Sequence, residues 1–222
     1  MNIWIVVIAV MVASFIIQQL LQSRFNKYSK VPNAMSGREV AEKMLRDNGI
    51  TGVKVCSVSG MLTDHYDPSR KVINLSEAVY SQRNVAAAAV AAHETGHAIQ
   101  HASGYAPLRL RSALVPVVTF ANNTVQWVLL GGVLLLQITP ALLYVGIGLF
   151  AMTTFFSFLT LPVEINASER AVKWLEYSHV TNYETTPMAR DALKWAAYTY
   201  VIGALGSLAT LFYYIGLAGN RR

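Results

Sequence analysis

Hydrophobic positions along this chain gather into four long, nearly unbroken runs, not the short alternating patterns of a water-soluble domain. Ile3 to Leu21 is apolar apart from Ser14, Gln18 and Gln19. Leu114 to Leu136 forms a second run and Ala141 to Leu161 a third. The short, uncharged Gln137-Ile138-Thr139-Pro140 between them suits a tight turn, so this pair reads as a membrane hairpin. Ala196 to Leu217 is a fourth run, flanked by Trp195, Tyr198 and Tyr200 at one end and by Phe212, Tyr213 and Tyr214 at the other. Aromatic residues at both ends match interfacial belts, and each run is long enough to cross a bilayer. Buried helices of a soluble bundle are the alternative, and four runs of spanning length argue against it.

Two polar segments remain, 22–113 and 162–195. In the first, Ser36-Gly37-Arg38-Glu39 is a capping box, Val40, Ala41, Met44 and Leu45 make one apolar helical face, and Gly49 is placed to end the helix. Val53 to Val58 reads as a short strand and Lys71 to Leu75 as a second. Gly60 and Asp64-His65-Tyr66-Asp67-Pro68 carry turn chemistry. Asn84 predicts a cap for an alanine-rich helix from Val85 to about Ala102, with Gly104 as its stop. The expected fold is mainly α: one polytopic helical membrane domain over 1–222, with about four spans and a small β element.

Composition agrees. The chain of 222 residues is 54% hydrophobic and only 14% charged, which is too apolar for an ordinary soluble domain. Its net charge of +6 could suit nucleic acid, but the basic residues lie in the segments between apolar runs. Sixteen of the eighteen Lys and Arg fall in 22–113 and 162–195, which the positive-inside rule places in the cytoplasm. Arg221 and Arg222 fall on the other side and conflict with it. No basic residue precedes the first run, whereas Arg24, Lys27 and Lys30 follow it, so an uncleaved anchor is expected instead of a signal peptide. The single cysteine, Cys56, excludes an intrachain disulfide and fits a reducing compartment.

The alanine-rich helix carries the chemistry. His93-Glu94-Thr95-Gly96-His97 is an HExxH motif. Residues four apart share a helical face, so both imidazoles can hold one zinc ion. Glu94, beside the first histidine, can reach a water on that ion and act as general base. A catalytic zinc needs a third protein ligand. Gln100 and Ser103 stand where a metzincin would carry glycine and a third histidine, so that class is excluded. Glu164 is the better candidate: two membrane crossings return it to the side of His97, and Glu169 is its rival. Ser168, on the helical face of Glu164, could orient a ligand histidine. His101 lies one turn beyond His97 and reads as an outer contact or a surface residue. His65 or Tyr66 could stabilise an oxyanion, although a turn capped by its aspartates is the simpler reading. Arg170 and His179 are weaker oxyanion candidates, since Arg170 can pair with Glu169 or Asp191.

These residues resemble the YugP-like family of bacterial membrane zinc metallopeptidases. The likeness runs through the N-terminal anchor, Ser36-Gly37 to Val40-Ala41, Gly60 to Pro68, Leu75-Ser76, Val90 to Gln100 and Leu161-Pro162-Val163-Glu164. More distantly the chain is similar to the HtpX-type and CaaX-prenyl membrane proteases, whose third ligand is the Glu of an ExxxD pattern. The resemblance places that Glu on Glu164, and Ser168 stands where the Asp would be. It implies a multi-pass protein of the bacterial inner membrane with a gluzincin-like site and one zinc ion; the charge bias puts that site at the cytoplasmic face, and its location alone suggests a membrane-associated polypeptide substrate. Nucleic acid is not an expected partner, and Gly203-Ala204-Leu205-Gly206 offers a close-packing surface that does not fix an oligomeric state. The rival readings are an intramembrane site-2-type protease and a non-catalytic, zinc-stabilised membrane scaffold.

Overall fold

The computed structural model describes residues 3–219; Arg221 and Arg222, the pair that conflicts with the charge bias, lie outside the described residues. Mainly helical, the chain runs α1 (Ile3–Tyr28), α2 (Gly37–Asp47), β1 (Lys54–Val58), β2 (His65–Asp67), β3 (Val72–Ser76), α3 (Glu77–Tyr80), α4 (Val85–Ala102), α5 (Ala106–Leu134), α6 (Ala141–Tyr177) and α7 (Thr186–Gly219). Four of these helices, α1, α5, α6 and α7, are long and apolar enough to cross a membrane. They extend beyond the apolar runs. In particular α6 continues past Leu161, through Pro162, to Tyr177, and α7 begins ten residues before Ala196.

The residues cluster into two compact units. The first holds the described residues of Met1–Ile16, Arg109–Leu161 and Thr199–Arg222. Small residues set its contacts: a Cβ on Gly132 would lie 2.7 Å from the Leu143 backbone, so α5 and α6 touch there main chain to main chain. On α6, Ser157 Oγ donates to Thr153 O and Thr160 Oγ1 to Ser157 O, bonds within the helix that suit an apolar setting.

The second unit, Ile17–Leu108 with Pro162–Tyr198, holds the polar segments. Helix α2 starts at the expected capping box, with Ser36 and Glu39 bonded reciprocally, and Gly49 follows it at φ 69°. Helix α4 starts where Asn84 Oδ1 accepts the Ala87 N–H and stops before Gly104 at φ 64°. The alanines at 86–89, 91 and 92 are fully buried. Such small side chains let α2, α3 and the sheet close around α4 on several sides, and a helix apolar all round is a core helix.

The sheet corrects one expectation. It has three strands in the order β1-β3-β2, with β1 parallel to β3 and β2 antiparallel to it. The segment 64–68 was expected to be turn alone, yet its middle is an edge strand in which His65 faces Asn74 and Tyr66 faces Ile73. Three residues are too short to show an alternating pattern, and Asp64 before the strand and Asp67 at its end mask it. Asp67 still caps the turn, accepting the N–H groups of Ser69 and Arg70, whereas Asp64 accepts the N–H of Ser76 at the end of β3.

Candidate metal centre

Helix α4 presents His93 and His97 with ring centroids 4.8 Å apart and planes nearly perpendicular, at 82°. Helix α6 supplies Glu164, whose Oε2 lies 3.3 Å from His93 Nε2 and 3.5 Å from His97 Nε2. The three donor atoms all lie within 4.8 Å of one another. Glu164 is only 2% exposed and His97 only 8%, so the cluster is shielded from bulk water.

These separations decide what the cluster fits. A tetrahedral zinc about 2.0–2.1 Å from nitrogen and oxygen donors has ligand-to-ligand edges of about 3.3–3.4 Å. Both edges to Glu164 agree. Two imidazoles and a carboxylate also form the three-donor set of a catalytic zinc, in contrast to the four protein donors of a closed structural site.

The remaining ring nitrogens are occupied. Ser168 Oγ lies 3.1 Å from His93 Nδ1, and Gln100 Oε1 lies 3.0 Å from His97 Nδ1. Each ring therefore turns Nε2 toward Glu164. Burial opposes a charge on His97, but its hydrogen bond with Glu164 and the nearby Glu94 carboxylate outweigh that and hold its pKa above the ordinary histidine value. A metal entering the cluster must displace that proton, so metal affinity rises with pH through this range. Glu94 follows His93 on α4 and is itself buried.

Backbone contact between α4 and α6 sets the approach. A Cβ on Gly96 would lie 2.7 Å from Ala167 O and 3.2 Å from Ala167 Cα. Only glycine at this position lets the histidine helix come so close to the helix that bears Glu164.

The other candidates are distributed differently. Glu169, the rival ligand, is exposed and is not part of the cluster. Arg170 pairs with neither Glu169 nor Asp191: its Nε donates to Asn166 Oδ1 at 2.7 Å, while Asp191 accepts from Tyr28 and faces Arg24. His65 engages Thr63 O through Nδ1 and Asn74 through Nε2. Tyr66 OH lies 2.8 Å from His101 Nδ1, which ties the edge strand to the end of α4. His179 sits in the loop after α6 at φ 55°.

Three residues at the centre escaped the sequence reading: Gln100, Asn166 and Gly96. Gln100 was noted only as a departure from another motif. It is fully buried, and its Nε2 donates to Val163 O at 2.8 Å and Asn166 Oδ1 at 3.0 Å. A glutamine three residues after the second motif histidine, at a buried position of the helix, was the available signal.

Residues 3–219 match the family model described as "Putative neutral zinc metallopeptidase". The chain is 43% identical, over 218 residues, to the "Putative membrane protease YugP" of Bacillus subtilis (strain 168), a match covering 97% of this chain and 96% of that one. No solved structure matches.

Proposed function

This chain belongs to the neutral zinc metallopeptidase family, and from that premise we propose that it is a zinc-dependent membrane endopeptidase. His93, His97 and Glu164 hold one zinc ion, and Glu94 is the general base. The observation that carries this reading is the spacing of Glu164 Oε2 from two imidazole Nε2 atoms, 3.3 and 3.5 Å, at the edge length of a tetrahedral zinc.

When bound, zinc makes a coordinated water more acidic and polarises the scissile carbonyl. Glu94 accepts the proton of the attacking water and returns it to the departing amine. Glu164 offsets part of the positive charge in a buried site, and Ser168 and Gln100 keep the imidazoles aimed. The buried setting strengthens each of these interactions relative to water.

Of the rivals, a site-2-type protease would place the HExxH helix within the bilayer. The alanine-rich approach of α4 instead packs against α2, α3 and the sheet. A structural zinc scaffold has no need of a buried carboxylate beside the first ligand.

The test is metal removal. Purified zinc-loaded protein is expected to cleave unfolded or membrane-inserted polypeptides, to lose that activity with a chelator and to regain it with zinc. Absence of cleavage across both substrate kinds at full zinc occupancy would sink the peptidase reading.

In this reading the chain is a multi-pass protein of the bacterial inner membrane with a single metallopeptidase domain, and the charge bias supports a site facing the cytoplasm. The substrate in this reading is a polypeptide at or emerging from the bilayer. Cys56, exposed on β1, is a ready-made reporter. A membrane-impermeant thiol reagent is expected to label it only after the cells are permeabilised. Labelling of intact spheroplasts would reverse the orientation.

A further inference from the structure

We infer that Gln100 is a positioning residue that fixes the tautomer of His97, and that Asn166 and Arg170 anchor it. The inference rests on His97 being a zinc ligand.

It follows from which groups can only donate and which can only accept. A carboxamide's oxygen and nitrogen are interchangeable in shape, so its orientation is decided by its partners. Val163 O is a main-chain carbonyl and can only accept, so the Gln100 group 2.8 Å from it must be Nε2. Arg170 can only donate, so the Asn166 atom 2.7 Å from its Nε must be Oδ1. That oxygen lies 3.0 Å from the same Gln100 nitrogen, which again requires Nε2 there.

Two independent constraints thus turn Gln100 Oε1 toward His97 Nδ1, at 3.0 Å. An oxygen acceptor there favours the proton of neutral His97 on Nδ1, so that Nε2, 3.5 Å from Glu164 Oε2, is the nitrogen left to bind metal. Gln100 is fully buried, so water does not compete for these bonds.

His93 differs. Its Nδ1 partner is the Ser168 hydroxyl, which can donate or accept and so leaves either tautomer open. The two ligands are unequal: His97 is locked and His93 is oriented but not locked. Arg170, expected as an oxyanion group, acts here at two removes from His97.

Full-length protein in lipid nanodiscs tests this, with zinc affinity read by chelator competition and with 15N-histidine spectra of the metal-free form at a pH where His97 is neutral. Gln100→Met keeps the side-chain length and removes the hydrogen bonds. It is expected to weaken zinc binding by about 10–100-fold and to move the proton of neutral His97 from Nδ1 toward Nε2, where Glu164 is the remaining acceptor. Arg170→Met removes one of the two constraints while Val163 O still holds Gln100 Nε2, so it is expected to give at most a small shift in the same direction. Gln100→Leu, a shorter apolar replacement, serves if Gln100→Met does not fold. Ser168→Ala is expected to leave the His97 spectrum unchanged. A wild-type share of Nδ1–H in whichever of the two Gln100 variants folds, with wild-type zinc affinity, would overturn the inference. His93→Ala separates the two levels. If it binds zinc as tightly as wild type, the metal reading fails. If it loses zinc while Gln100→Met does not, only the role of Gln100 fails.

Discussion

Glu94→Gln is expected to slow peptide hydrolysis by about 10²–10⁴-fold, the range of a lost general base, with zinc content unchanged. The substitution keeps the shape and burial of the side chain, which is 8% exposed, and removes only its capacity to take a proton. The metal donors are untouched, because Glu94 is not among the three atoms that converge. The glutamine also removes a negative charge whose field helps hold the His97 pKa up, so the proton competing with metal at His97 should leave more readily. Zinc binding near neutral pH should therefore be as tight as in wild type or slightly tighter. Parallel assays of turnover and bound zinc on one preparation read both effects. Turnover equal to wild type would remove Glu94 from the chemistry.

Gly96→Ala is expected to cost both stability and metal. In an exposed helix this exchange stabilises by about 1 kcal/mol through backbone entropy. Here the sign reverses. The new methyl would lie 2.7 Å from Ala167 O, and main-chain atoms cannot rotate aside as a flexible side chain would. The helices must part, at about 1–3 kcal/mol for overpacking. Glu164 lies one helical turn from Ala167, so the same movement draws Oε2 away from both imidazoles. A misplacement of about 1 Å can cost 10²-fold in a positioned site, and zinc affinity should fall by about that factor. Calorimetric unfolding with chelator competition would show a fall in Tm of the metal-free protein together with weaker zinc binding. A more stable variant with intact zinc affinity would mean that the α4–α6 contact is not what sets the site.

The legibility of this protein in its sequence followed the range of each interaction. His93 and His97 could be paired from spacing alone, because helix geometry fixes which residues share a face. The caps at Ser36, Asn84 and Gly104 were legible for the same reason, since each involves residues within four positions. The four apolar runs stood out because a bilayer demands length and composition, not particular partners. Glu164 could be singled out only by asking what the ion lacked. Gly96, Gln100 and Asn166 stayed hidden because their meaning lies in contacts between helices more than 60 residues apart in sequence. Strand β2 stayed hidden because its short span is defined by pairing with β3, while its own residues favour turns.

The three candidate metal donors are divided along the chain: two lie on α4, and the third follows only after α5 and the apolar part of α6. In the zinc-peptidase reading this orders the protein's own biosynthesis. A nascent chain that has left the ribosome as far as the α5–α6 turn carries both histidines and the general base but no third donor. Its hydrolytic centre is incomplete until both middle spans have been translated. Such a peptidase needs no inhibitory propeptide to stay silent while it is being made, because the order of translation withholds its last ligand.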